Sequence, residues 1–278
     1  MIQLFHDVSQ QCSKHITAKY STSFASAIRL LHRDLRTPIH NIYGFVRLAD
    51  EIVDTFHEHD KAFLLDQFKK DTFDAIERKI SLNPILHSFQ LTVNEYEIDH
   101  VLINAFFKSM EMDLYKEVYD EEGYNEYIYG SAEVVGLMCL YIFCSGNRQQ
   151  YEHLKPYAQS LGAAFQKVNF LRDVQSDLHQ LNRSYFPGIN LNNFNWHDKK
   201  RIEEDIAADF RHAYIGIRQL PVKARFGVYV AYKYYLSLFR KICRTQPNRI
   251  MQERIRIPNY SKAFILIRAG VKNQLLKI

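Results

Sequence analysis

Apolar residues recur every three or four positions through most of the chain, over about 22–33, 38–56, 61–80, 97–118, 124–144, 150–180, 199–218, 222–245 and 261–277. That spacing keeps them on one face of a 3.6-residue repeat and predicts a helix over each span. Glycine (10) and proline (7) are too sparse among 278 residues for a fold made of many tight turns. The interruptions carry turn chemistry: Thr37-Pro38, Asn83-Pro84, Ser145-Gly146-Asn147, Pro187-Gly188, Leu220-Pro221 and Gln246-Pro247-Asn248. No internal repeat, low-complexity tract or linker divides the chain, so the expectation is one all-α domain, a helical bundle spanning 1–278.

Hydrophobic residues at 47% and charged residues at 24% suit a globular chain able to bury a substantial core. The 18 tyrosines and 19 phenylalanines read first as core packing, with enough left over to line an apolar pocket. The net charge of +5 is mild, and the basic residues come as singles and doublets among acids, so no nucleic-acid stripe is indicated. Such a balance suits an anionic small substrate or weak attraction to a membrane surface. Cys12, Cys139, Cys144 and Cys243 have no zinc spacing, and "MIQLFHDVSQQCSKH" has no signal-peptide pattern; reduced thiols in a cytoplasmic protein are expected. No apolar run reads as long as a bilayer-spanning helix. The basic, amphipathic tail "SKAFILIRAGVKNQLLKI" reads as a final bundle helix, with peripheral docking on the inner membrane face the second reading.

Two of the helical spans carry a polar seam where a core helix should have none. At about 100° per residue, Gln166, Asn169, Asp173 and Asp177 share an arc of about 80°, and Leu161, Phe165, Val168, Leu171, Val174 and Leu178 fill the rest. In "NIYGFVRLADEIVDTF", Tyr43, Arg47, Asp50 and Asp54 share an arc of about 60°, flanked by Phe45, Val46, Leu48, Ile52 and Val53. A solvated face or a set of salt bridges would explain a single Asp-x-x-x-Asp. Two are harder to dismiss, because like charges at i and i+4 weaken a helix and apolar surroundings raise the cost. A hard divalent cation compensates both. Mg²⁺ takes oxygen ligands, keeps several waters, and is usually held by a few carboxylates together with substrate phosphates. Arginines beside the seams would grip phosphate oxygens as forks. The seams therefore predict a clamp for metal and diphosphate. "KYSTSFASAIRLL" opens a helix with Ser21, Thr22 and Ser23, whose hydroxyls could meet phosphate, although N-capping alone explains them.

These residues, in this order, resemble the squalene/phytoene synthase family, which joins two prenyl diphosphates head to head, and the resemblance covers nearly the whole chain. "YSTSF" (20–24) looks like its serine motif, "YGFVRLADEIVD" (43–54) like its first aspartate motif and "QKVNFLRDVQSDLHQLNRSYFP" (166–187) like its second, the most specific of them. "YIYGSAEVVG" (127–136) is similar to the family's kinked pocket helix, and "YYLSLFRKI" and "QERIRIP" to its closing helix and basic strip. The resemblance implies an all-α fold of the class I isoprenoid synthase type around an apolar cavity. Asp50, Asp54, Asp173 and Asp177, with Asn169, would hold Mg²⁺, for which Mn²⁺ could substitute. Ser21, Ser23, Arg47, Arg172 and Arg254 would contact diphosphate, while Tyr43, Tyr235 and Gln166 line the centre. Arg183 and Tyr185, in the "RxYxP" tail, are weaker assignments. "FFKSMEMDL" (106–114) reads more like the phytoene-synthase form, implying two geranylgeranyl diphosphates, phytoene as product and no NADPH. Asn182 and Ser131 depart from the pattern, and Ser131 bears on pocket depth and so on chain length.

Squalene or dehydrosqualene synthase, acting on farnesyl diphosphate, is the close alternative. A ferritin-like di-iron bundle needs two Glu-x-x-His motifs, and the chain has one, at Glu97–His100. A non-catalytic assembly relative would be expected to lose its aspartates, and chain-elongating synthases usually carry DDxxD.

Overall fold

The computed structural model describes residues 2–116, 118–180, 185–189 and 194–258, with backbone only for 176–180. Among these, twelve α-helices follow one another: α1 (Ile2–Tyr20), α2 (Thr22–Ile28), α3 (Arg33–Asp54), α4 (Lys61–Arg78), α5 (Pro84–Tyr96), α6 (His100–Tyr115), α7 (Glu121–Ile128), α8 (Val134–Cys144), α9 (Arg148–Gln180), α10 (Trp196–Ile217), α11 (Val222–Cys243) and α12 (Pro247–Ile250). A π-helical turn, Tyr129–Glu133, joins α7 to α8 and supplies the kink expected in that helix. No strand occurs among the described residues, so the chain is all-α as expected.

Helix starts follow the local chemistry. Ser21, Asp60, Asn83, Asp99, Asp120 and Asn195 each accept a backbone N–H from the first turn of the helix they precede. Gly146 (φ 83°) and Gly188 (φ 65°) take left-handed conformations in the expected turns.

Four boundaries differ from expectation. α3 starts at Arg33 and runs through Pro38, because so near the helix start the ring removes only one intrahelical donor while Leu35, Ile39 and Ile42 are buried. The helix expected over 22–33 stops at Ile28. α1 and α5 were not expected at all. The buried face of α1 is Ser9, Ser13 and Thr17, which leaves no hydrophobic period to read. Ser13 Oγ meets Ser88 Oγ of α5 at 2.6 Å, and a Cβ at Gly44 of α3 would lie 2.6 Å from the same oxygen. Small polar residues thus let three helices approach closely. The helix expected over 261–277 lies outside the described residues.

The core begins at Phe45 of α3, fully buried and stacked on Phe89 of α5 at 3.9 Å, with Phe68, Phe106 and Phe107 closing around it. On the other side, α9 packs against α8, α10, α11 and the π turn. Gly130 in that turn touches α6, where a Cβ would come within 2.5 Å of the Ala105 carbonyl oxygen. One expectation is corrected: Glu121–Cys144 forms a continuous helix long and apolar enough to cross a membrane. Most of its apolar window (56%) is buried against neighbouring helices, as a core helix requires. All four cysteines are free thiols.

Candidate active site

α3 and α9 each turn one stripe toward a common cavity of about 660 Å³, closed on its other sides by α2, α8, α10 and α11. Tyr43, Arg47, Asp50 and Asp54 line it from α3; Gln166, Asn169, Arg172 and Asp173 line it from α9. Ser21, Tyr235 and Arg254 reach the same space. Ser23 is half-buried and does not line it. The side chain of Asp177 and all of Arg183 lie outside the described residues.

The α3 row sets Arg47 among carboxylates. Arg47 pairs with Glu51 and lies 3.9 Å from Asp50, and its guanidinium covers the Tyr20 ring at 4.4 Å. Asp50 lines the cavity and about a third of its side chain (32%) is exposed there. Burial foremost, then the Asp54 charge, raises its pKa to about 7; Arg47 pulls the other way and Asp113 adds a further push upward. Tyr43 stays a neutral phenol, raised mainly by burial. It stacks on Phe24 at 5.2 Å, and a hydrogen bond from Ser21 works against the rise.

The α9 row is compensated differently. Arg172 grips its neighbour Asp173, with Nη2 2.5 Å from Oδ2 and Nε 3.0 Å from Oδ1. Arg254, from the strip after α12, brings Nε to 2.7 Å from Asp173 Oδ1. Two guanidinium groups therefore converge on one carboxylate at the cavity mouth. Asn169 Oδ1 is buried and accepts no hydrogen bond, and Arg47 Nε is buried and donates none. Tyr235 stacks on Phe165 at 3.8 Å, placing two aromatic faces just inside the mouth.

Ser21 caps α2, its Oγ accepting the Phe24 N–H at 3.2 Å, and also hydrogen-bonds Tyr43 on the cavity wall. Among the described residues, no three carboxylate, imidazole or thiol groups gather closely enough to cage a metal by themselves. The donor set still fits a hard cation. Asp50, Asp54 and Asp173 offer carboxylate oxygen, and Asn169 offers a buried carbonyl oxygen that accepts no hydrogen bond. Such an ion keeps waters and phosphate oxygens in its shell rather than a full set of protein ligands.

Two cavity residues escaped the sequence reading. Tyr127 donates its hydroxyl hydrogen to Asp113 Oδ2 at 2.8 Å, both side chains being buried on the cavity wall. Burial, then the nearby Asp113 charge, pushes the Tyr127 pKa far up. Asp113, an acid two residues from Glu111 among Phe106, Phe107, Met110, Met112 and Leu114, was the available signal, since a buried carboxylate needs a partner. Tyr185 also lines the cavity, stacked on Phe170 at 4.0 Å.

Comparison with known proteins agrees with this geometry. Residues 17–261 match the family model described as squalene/phytoene synthase. The chain is 28% identical over 207 residues to a 4,4'-diapophytoene synthase of Staphylococcus haemolyticus, covering 72% of this chain and 69% of that one. It is 25% identical over 293 residues to a phytoene synthase of Arthrospira platensis, covering 96% and 94%. Among solved structures, a dehydrosqualene synthase in complex with ligand superimposes with a TM-score of 0.82 at 19% identity, covering 97% and 98%.

Proposed function

The chain belongs to the squalene/phytoene synthase family of prenyltransferases, and on that premise we propose that it joins two molecules of geranylgeranyl diphosphate head to head to give phytoene. The observation that carries this reading is the pair of stripes, Tyr43–Arg47–Asp50–Asp54 and Gln166–Asn169–Arg172–Asp173, lining a cavity whose remaining wall is mostly apolar. Acid and guanidinium groups suit the diphosphates; the apolar interior suits the tails.

Asp50, Asp54, Asp173 and Asn169, with Asp177 by its place in the motif, would hold Mg²⁺, whose charge stabilises a departing diphosphate when it is bound. Arg47, Arg172 and Arg254 carry fixed positive charge to the same end and orient phosphate oxygens as forked donors. Loss of diphosphate from one chain leaves an allylic cation, which the double bond of the second chain attacks. Proton loss then closes a cyclopropane that keeps the second diphosphate. Its departure, rearrangement and loss of another proton give the 1–1' linkage. Two diphosphates and two protons leave, so no reductant is required. Tyr43, Phe165 and Tyr235 present aromatic faces to the positive charge, a stabilisation of about 0.5–2 kcal/mol for each face in contact. The apolar wall keeps water from the cations.

A second reading, two farnesyl diphosphates giving the shorter hydrocarbon, is favoured by the likeness to the diapophytoene synthase. Product analysis separates them: purified protein with Mg²⁺, C15 or C20 prenyl diphosphate and no NADPH. A C40 hydrocarbon supports the first reading and a C30 hydrocarbon the second. No hydrocarbon from either substrate refutes both.

A further inference from the structure

The far end of the cavity is built differently from its mouth. From Asp173 the cavity follows one face of α9 through Asn169, Phe165, Leu161 and Tyr157 to the buried Leu154 behind it, a run of about 28 Å at 1.5 Å per residue. Along that shaft Ala213 of α10, Ala231 of α11 and Ala158 of α9 present small side chains. Gly136 of α8 and Gly162 of α9 let the backbones of α8, α9 and the π turn touch along its wall.

At the end the pattern reverses. Two large side chains enter, and each is seated against a glycine of the helix opposite. A Cβ at Gly216 would lie 2.2 Å from Tyr157 Cβ and 2.6 Å from its Cγ, so the α10 backbone rests directly on the root of the tyrosine. A Cβ at Gly227 would lie 2.5 Å from Leu31 Cδ2 and 2.8 Å from its Cγ, so the α11 backbone rests on the branched end of the leucine. Leu31 is almost wholly buried. Behind the Tyr157 ring stand His212, at 4.6 Å between centroids, and His153 at 6.1 Å. Both are surface residues, His212 meeting Ser160 and His153 meeting Gln219. The tyrosine ring is thus the last apolar layer between the shaft and solvent on that side.

We propose that Tyr157, seated on Gly216, and Leu31, seated on Gly227, form the floor that measures the prenyl tails and fixes the longest chain the shaft admits. This rests on the prenyl-diphosphate reading of the mouth. Because helix backbone holds Tyr157 at its root and Leu31 at its branched end, neither can swing aside for a tail one isoprene unit too long. Rejection therefore comes from a fixed wall rather than from weaker attraction.

The test is a competition among C15, C20 and C25 prenyl diphosphates with Mg²⁺, reading the distribution of hydrocarbon products. Leucine replaces the tyrosine in preference to alanine, so that the histidine side stays sealed by an apolar group. Tyr157→Leu and Leu31→Ala are expected to move the preferred substrate one isoprene unit longer, with the ratio of longer to wild-type substrate rising at least about tenfold. Tyr157→Trp is expected to move it one unit shorter. If Leu31→Ala does not fold, the opposite shifts of the two Tyr157 variants decide. A wild type that condenses these substrates, with variants whose ratios stay within about twofold of it, overturns the floor alone. A wild type that condenses none of the three overturns the reading of the mouth and the floor with it.

Discussion

The Tyr127 hydroxyl donates to Asp113 Oδ2 at 2.8 Å, and the charge of that same aspartate helps raise the pKa of Asp50 across the cavity. The π turn that follows Tyr127 and the close seat of Gly130 on α6 hold α6 and α7 at the spacing this contact needs. Removing the donor with Tyr127→Phe takes a hydrogen bond from a buried carboxylate. The expected loss is about 1–3 kcal/mol of folding stability, read from urea unfolding midpoints at an unchanged slope.

Asp50 sets a pH dependence with a definite sign. Its pKa in the folded chain is about 7, above the ordinary value of 3.8, so the folded state holds a proton that the unfolded state has released. The stabilisation tied to that proton is complete below about pH 4 and is lost as pH rises through about 7. Without divalent cation, the thermal midpoint is expected to fall over that interval more steeply for wild type than for Asp50→Asn. Equal slopes would show that Asp50 does not carry that proton.

Arg254 reaches Asp173 from a strip distant in sequence and shares it with Arg172. Arg254→Ala leaves Arg172 in place, so stability changes little, within about 1 kcal/mol for so exposed a pair. A phosphate-gripping role instead predicts a rise in KM of about tenfold, the scale of one charge-assisted contact. Steady-state kinetics that moved kcat alone would assign Arg254 to another step.

Phe45 anchors the half of the bundle that carries the α3 stripe. It is fully buried and stacked on Phe89, so Phe45→Ala is expected to cost about 3–5 kcal/mol. Calorimetry or denaturant titration reads that loss directly.

How much of this was legible beforehand followed from the kind of signal each part leaves. The α3 and α9 stripes could be read because carboxylates at i and i+4 are costly on an otherwise apolar helix. The long helices could be read because their buried faces are hydrophobic. α1 could not, since its buried face is Ser9, Ser13 and Thr17 and its packing depends on the absence of bulk. Asp113 and Tyr127 belong to different helices, and their pairing exists only once α6 and α7 are folded together. The floor was illegible for the same reason: Tyr157 and Leu31 mean nothing without the glycines opposite them. Ser21 shows both signals at once: it caps α2 as the plainer reading had it, and its hydrogen bond to Tyr43 appears only when α2 and α3 are folded together.

The central claim is that the α3 and α9 rows act jointly on diphosphate, and diphosphate release from the wild type, Asp50→Asn and Asp173→Asn tests it most directly. With C20 prenyl diphosphate and Mg²⁺, the wild type is expected to release two diphosphates for each hydrocarbon formed. Either variant alone is expected to lose at least about a hundredfold in rate, because each removes a carboxylate that would hold the Mg²⁺ stabilising the same departing group. Either single variant turning over within about twofold of wild type would contradict the account.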